Sequence, residues 1–299
     1  MLTYILFMLV VGSIYALLAQ SLMLSWGLAG LVNLGLAGFF AVGAYASAML
    51  TTWEQAPILV GVSVAVLAGG LAGLLVCFST LRLRDDYLAI VTLGFAEIVR
   101  IVASNEVWLT GGTDGISGVP VMIARDTGVW FHLGTLLITV AAVILVYVLQ
   151  RRLLASPWGR ALRAVREDQT VASVAGKSIV RFKAQAFSLA AAIAGLAGAL
   201  YGHYTSYVAP DQFQPLITIY IFLAVTAGGN ARPAGAVLGA YLLVAFLEAT
   251  RFLAEIAPGV TALQAAALRE IAVGIGLVIV LTLRPDGLLP ERSQKAPAS

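Results

Sequence analysis

Apolar residues run in long blocks along the chain, and the blocks predict helices at roughly 2–24, 36–51, 57–80, 87–105, 132–150, 184–206, 216–229, 234–251 and 268–284. Most approach or exceed the roughly 20 residues that cross a bilayer core. The fold class they predict is all-α, a polytopic transmembrane bundle of about nine spans with broken or re-entrant segments. Two blocks are short for a span: the one ending at Gly228-Gly229, and the second, which starts inside the Gly-rich stretch Gly27 to Gly43. Two readings stand for these breaks. Irregular backbone at membrane depth survives only where it is buried in protein or lines a wet cavity, so the breaks mark a pathway; or the glycines serve close helix packing.

Composition moves the chain out of water. Apolar residues make up 60% and charged residues 11% of 299 positions, against about 25% charged in soluble domains. The whole chain, 1–299, therefore reads as a single transmembrane domain in a lipid bilayer. Met1 to Leu24 carries no Lys or Arg ahead of its apolar run and exceeds a signal core, so it reads as a retained helix. The lone cysteine, Cys77, lies in an apolar run and reads as packing rather than as a redox group. A formal net charge of +3 gives no argument for nucleic acid.

Charge placement sets orientation. Arg151, Arg152, Arg160, Arg163, Arg166, Lys177, Arg181 and Lys183 face only Glu167 and Asp168 in one loop, which the positive-inside rule makes cytoplasmic. Counting outwards puts Arg82, Arg84 and the tail with Arg284, Arg292 and Lys295 on the same side, Glu106 to Phe131 on the other, and the N-terminus outside. Small residues four apart (Gly69 and Gly73, Ala190 with Ala194, Gly198 and Gly202, Gly235 with Gly239) let helix backbones approach, a feature of bundles in general.

The basic loop, 152–183, predicts an amphipathic helix of its own. Ser156-Pro157 offers a cap and first-turn proline, apolar positions recur at Ala161, Leu162, Ala164, Val165, Val171, Ala172 and Ala175, and Gly176 supplies a stop. Such a helix lies on anionic lipid or docks on a soluble partner. Gly176-Lys177-Ser178 imitates the end of a phosphate-binding loop, but Val171 stands where the preceding glycine is needed and helix surrounds it, so this chain is not expected to bind nucleotide.

In the fourth block Glu97 and Arg100 stand three apart, a spacing for an ion pair. At membrane depth such charges face the bundle interior or water, either to serve a pathway or to lock two helices together. With Thr92 and Asn105 they make this helix the expected pathway wall, and Asn33 in the Gly-rich break joins Thr92, Glu97 and Arg100 as translocation-path candidates. His203, Glu248, Arg251, Arg269 and Glu270 fall near outer helix ends, where they read as interfacial anchors. No metal, cofactor or catalytic grouping is expected, so the chain is not read as an enzyme.

The run Leu81-Arg82-Leu83-Arg84-Asp85-Asp86-Tyr87-Leu88-Ala89-Ile90-Val91-Thr92-Leu93-Gly94-Phe95-Ala96-Glu97-Ile98-Val99-Arg100, followed by Leu109-Thr110-Gly111-Gly112-Thr113-Asp114-Gly115-Ile116, resembles the LivM-type permeases of bacterial branched-chain amino acid importers. Ser156 to Asp168 with Ala172 and Gly176 is similar to that family's coupling loop, and Lys183 to Phe187, Ala194 to Leu200, Gly235 to Ala240 and Arg284 to Leu289 to its later landmarks. Gly12 to Leu17, Asn33-Leu34-Gly35 and Gly43-Ala44-Tyr45 are similar too, while Met1 leaves little room for the extra N-terminal helix many members carry. Two departures are the glycine-poor turn Asn230-Ala231-Arg232-Pro233 and the acidic Asp85-Asp86.

The resemblance implies a multi-pass permease of the bacterial inner membrane that imports branched-chain or related amino acids. It implies a similar (LivH-like) second permease, two cytoplasmic ATPase subunits and an extracytoplasmic solute-binding protein as partners. Gly159, Arg160, Arg163, Ala164, Arg166, Glu167, Ala172 and Gly176 are then the residues expected to couple to the ATPases. The competing expectation is a secondary carrier driven by an ion gradient, with Glu97 as its ion site.

Overall fold

The computed structural model describes residues 2–80, 85–256, 262–283 and 287–289. Arg82, Arg84, Arg284, Arg292 and Lys295, on which part of the sidedness argument rests, lie outside the described residues, as do the side chains of Asp85, Asp86, Arg251 and Arg269. The helices are α1 (Leu2–Leu22), α2 (Leu36–Thr52), α3 (Ile58–Thr80), α4 (Asp85–Asn105), α5 (Val107–Thr110), α6 (Val129–Ala155), α7 (Pro157–Glu167), α8 (Gln169–Val174), α9 (Ile179–Thr205), α10 (Pro215–Gly228), α11 (Pro233–Ile256) and α12 (Ala262–Leu283). A two-residue antiparallel pair, β1 (Ile116–Ser117) and β2 (Tyr207–Val208), sets Ile116 opposite Val208.

Each of the nine apolar blocks has become a helix, with bounds up to six residues from those expected at α6, α9, α11 and α12, because no other backbone satisfies its own hydrogen bonds in hydrocarbon. Among the described residues six are long and apolar enough to cross a membrane, and the chain is a multi-pass membrane protein. α1 and α9 form the centre: α1 packs against α6, α9, α10 and α11, and α9 against α2 and α3. The outward faces of α3 and α6 carry bare apolar side chains such as Leu59, Leu67, Leu75, Leu137 and Leu145, as a lipid-facing surface requires.

Close backbone approach is what joins α2, α3 and α9. A Cβ on Gly198 would stand 2.1 Å from the Phe40 carbonyl oxygen, one on Gly43 would stand 2.2 Å from that of Gly195, and one on Gly195 would stand 2.4 Å from that of Ala65. Without an apolar driving force between helices in lipid, such packing and polar contacts across helices hold the bundle. Ser21 donates to the Ala190 carbonyl at 2.6 Å, and Gln150 Nε2 to that of Gln20 at 3.0 Å.

Two helices are short. At about 1.5 Å per residue, the 17 residues of α2 and 14 of α10 fall below a core about 30 Å thick. α2 begins beside Thr92, seven residues inside α4, and beside Thr218, three residues inside α10. Both helices therefore start within the bundle. α1 reaches this level through a π-helical turn, Met23–Leu28, and the chain then crosses residues 29–35 without regular structure. The breaks expected around Gly27 to Gly43 and before Gly228-Gly229 are thus real interruptions, and the glycines at Gly43 and Gly198 serve packing as well.

Three expectations change. The basic loop folds as two helices rather than one, because Asp168 leaves the helical conformation (φ −151°, ψ 110°) and its carboxylate caps α8 through Thr170 N at 2.8 Å and Val171 N at 3.0 Å. His203 is 1% exposed rather than interfacial. Its ring nitrogens are both engaged, Nε2 with Ser47 Oγ at 2.8 Å and Nδ1 with the Pro120 carbonyl at 2.7 Å. Glu248 is half-buried and accepts a hydrogen bond from the Tyr4 hydroxyl, tying α11 to α1.

Gly94 has nothing within 4 Å of an added Cβ, whereas Gly198 has the Phe40 backbone. Gly198→Ala is expected to destabilise the purified protein by about 1–3 kcal/mol and Gly94→Ala to leave it unchanged. Thermal unfolding in detergent checks this, and equal effects would contradict the packing described.

Candidate functional site: the interrupted helix and the wall beside it

An interruption in hydrocarbon leaves N–H and C=O groups without partners, and each must find one. The amides of Gly30 and Leu31 turn back to Trp26 and Ser25 carbonyls at 3.1 and 2.8 Å. Asn33 Oδ1 accepts from Gly35 N at 3.0 Å, Thr92 Oγ1 of α4 accepts from Leu34 N at 3.0 Å, and Thr218 Oγ1 of α10 accepts from Ala37 N at 3.2 Å. The start of α2 is therefore held by side chains from two other helices. Asn33 Nδ2 is buried with no hydrogen-bond partner, a donor whose isolation costs about 1–3 kcal/mol.

The far side of the interruption is gripped from the basic loop. α7 packs against the π turn, and Arg166 donates from Nη1 to the Gly27 carbonyl at 2.5 Å. Gly30 takes φ +71° there, and a Cβ on it would meet the Arg166 side chain at 3.2 Å. α7 itself starts on Ser156, whose Oγ accepts from Gly159 N at 3.4 Å. Gly159 is buried because Leu153 and Leu154 backbone atoms lie within 2.7 Å of where its Cβ would be.

Among the other coupling candidates, Arg160, Ala164, Glu167 and Gly176 are exposed, and Arg163 is half-buried and donates to the Leu154 carbonyl at 3.1 Å. Ala172 is 3% exposed and points into the protein. The apolar side chains that α8 does present are Val171, read from sequence only as one of the loop's apolar positions, and Val174, which sequence reasoning missed; they are 65% and 86% exposed. The break at Asp168 turns α8 so that these valines face outward.

Of the four path candidates Asn33 lies in the interruption, and the three on α4 separate. Thr92 is fully buried on the α2 side, where its hydroxyl holds the Leu34 amide, the residue after Asn33. Glu97 and Arg100 form a two-point ion pair, Nε to Oε2 at 3.0 Å and Nη2 to Oε1 at 2.5 Å, on the open side, with side chains 39% and 29% exposed. Asn105 bonds only its own helix, to the Ile101 carbonyl at 2.7 Å. A second charge, Asp211, was not anticipated: the 3-10 turn Pro210–Phe213 packs against α4 and brings it near enough to act on Arg100 through space. No group of three or more metal-binding side chains occurs among the described residues.

This geometry can then be set beside known proteins. Residues 4–281 match the family described as branched-chain amino acid transport system, permease component. Over 93% of its length the chain is 35% identical to the high-affinity branched-chain amino acid transport system permease protein LivM of Salmonella typhimurium, spanning 68% of that protein. It is 34% identical to LivM of Escherichia coli over the same shares. It is also 25% identical to the permease protein LivH of Escherichia coli, over 93% of this chain and 92% of that one.

Replacing Thr92 with Val removes the acceptor for Leu34 N, while Ser retains it. Thr92→Val is expected to cost about 1–3 kcal/mol and Thr92→Ser little. Unfolding of the two variants in detergent measures the difference, and matching curves would exclude this hydroxyl as a support of the interruption.

Proposed function

The chain belongs to the family of permease components of branched-chain amino acid transport systems, and from that premise we propose that it is a permease subunit of an ATP-driven importer that carries branched-chain or related amino acids into the cytoplasm. It works in the bacterial inner membrane as one transmembrane unit, 1–299, with 152–183 as its cytoplasmic coupling loop. Its partners are a similar second permease, two cytoplasmic ATPase subunits that hydrolyse ATP, and an extracytoplasmic solute-binding protein. The likeness to both LivM and LivH supports a pathway shared between two related permeases.

The observation that carries this reading is the grip of Arg166 on the Gly27 carbonyl. Through it the loop that receives force is bonded to the interruption at which the membrane helices can change shape. Rigid α7, pressed by an ATPase, moves the π turn; the turn is continuous with Asn33 and with the α2 start held on Thr92 and Thr218. Motion at the loop thus reaches α4 and α10 through bonded groups rather than through lipid.

Arg160, Ala164, Glu167 and Gly176, with Val171 and Val174, form the surface offered to the ATPase. Val171 and Val174, three apart on α8, are the apolar side chains this surface presents. Arg163, Gly159 and Ala172 support that surface from behind. The open side of α4, with Glu97 and Arg100, is the wall presented to the second permease and the solute, because a half-exposed ion pair facing lipid tails would be costly. Asn33 and Thr92 work behind this wall. An ion-gradient carrier has no need for the bonded loop, and the likeness to permease components does not favour one.

Val171→Glu with Val174→Glu is expected to cut ATP-driven uptake roughly thirtyfold, the scale of losing a central contact worth about 2 kcal/mol. Membrane insertion and yield should stay at wild-type levels. Uptake by the complete transporter in vesicles checks this, and wild-type uptake would exclude the valine face as the docking surface.

A further inference from the structure

The open side of α4 holds more than an ion pair. By three-, four- and seven-residue spacing, Ile90, Leu93, Gly94 and Ile101 share the face of Glu97. Ile90 is 66% and Ile101 48% exposed, and Gly94 leaves open space. Arg100 lies five residues, or about 7 Å, from the end of α4 that meets the β1–β2 side of the bundle, the outer side in the orientation set by the basic loop. Asp211 approaches from a segment that dips in from that same side.

The charges are not exhausted by one another. A guanidinium carries five N–H donors, of which Nε and Nη2 each give one to Glu97. Three are left, in a plane suited to a second carboxylate. The exposed carboxylate of Asp211 makes no hydrogen bond or ion pair among the described residues, so it is open to a cation. The buried hydroxyl of Tyr45 lies within electrostatic reach of Asp211 and is also without a hydrogen-bond partner.

We propose that Arg100 and Asp211, with Glu97 positioning the guanidinium, form a receiving site at the outer mouth of the path for a zwitterionic α-amino acid, the carboxylate on Arg100, the ammonium on Asp211 and an apolar side chain along Ile101. The proposal rests on the reading of α4 as the path wall and names what that wall selects. A solute with opposite charges at its two ends loses water at both as it enters, and fixed groups of both signs replace that water. A wall of one sign would hold one end and repel the other. An uncharged solute such as urea or a simple amide would need neither group, so the site favours amino acids over those alternatives.

The test uses the complete transporter, with its own second permease, ATPases and binding protein, in vesicles supplied with radiolabelled leucine. Asp211→Asn is expected to lower leucine uptake about tenfold, the scale of one hydrogen bond to a charged group, while ATP hydrolysis stimulated by loaded binding protein stays unchanged. The exchange Glu97→Arg with Arg100→Glu keeps an ion pair in α4 but sets a carboxylate opposite Asp211, so its uptake is expected to stay low although the complex assembles. Wild-type uptake in both variants would overturn the proposal. So would a fall in ATP hydrolysis proportional to the fall in uptake for Asp211→Asn, which would place Asp211 in docking of the binding protein. If the unaltered complex failed to import any solute with ATP, the importer reading itself would fall, an outcome distinct from both.

Discussion

Hydrocarbon offers no partner to a peptide group, and the rest of this structure depends on how one interruption meets that constraint. Between the π turn of α1 and the start of α2, every hydrogen bond described is supplied by the local backbone, by Asn33, or by side chains brought from α4, α7 and α10. An unbroken helix would have needed none of them. The interruption therefore ties four segments distant in sequence into one bonded unit, with the loop at one side of it and α4 at the other.

This arrangement gives each part its role. α9 and α3 approach so closely at Gly195 that they act as a stiff block. α7 rests on the interruption through Arg166, and α4 rests on it through Thr92. α4 then turns its other side outward, with charges at a depth where lipid would be a poor neighbour. That outward side is coherent only as part of a larger assembly, in keeping with a family of permease components.

Much of the fold could be read in advance, because membrane helices declare themselves by local apolar length. The short blocks and the glycines around Gly27 announced the interruption. What could not be read was which hydroxyls hold it: Thr92 and Thr218 look alike to any threonine in an apolar run, and only the packing of α2 against both selects them. His203 was misplaced for a related reason, since its partners, Ser47 on α2 and the Pro120 carbonyl of the loop after β1, reach it only through tertiary packing. The division of the loop helix at Asp168 followed a capping preference visible in the residue type, yet the apolar repeat ran through it.

The candidate site was half visible. The Glu97 and Arg100 spacing predicts their pairing within one helix, whereas Asp211 reaches them through the turn Pro210–Phe213, whose placement depends on tertiary packing. The most direct test of the account is the ratio of leucine imported to ATP hydrolysed by the complete transporter carrying Arg166→Ala. The account predicts that hydrolysis persists while import falls severalfold, so that the ratio drops, because the loop still binds the ATPase but no longer holds the Gly27 carbonyl. An unchanged ratio at full import would contradict it.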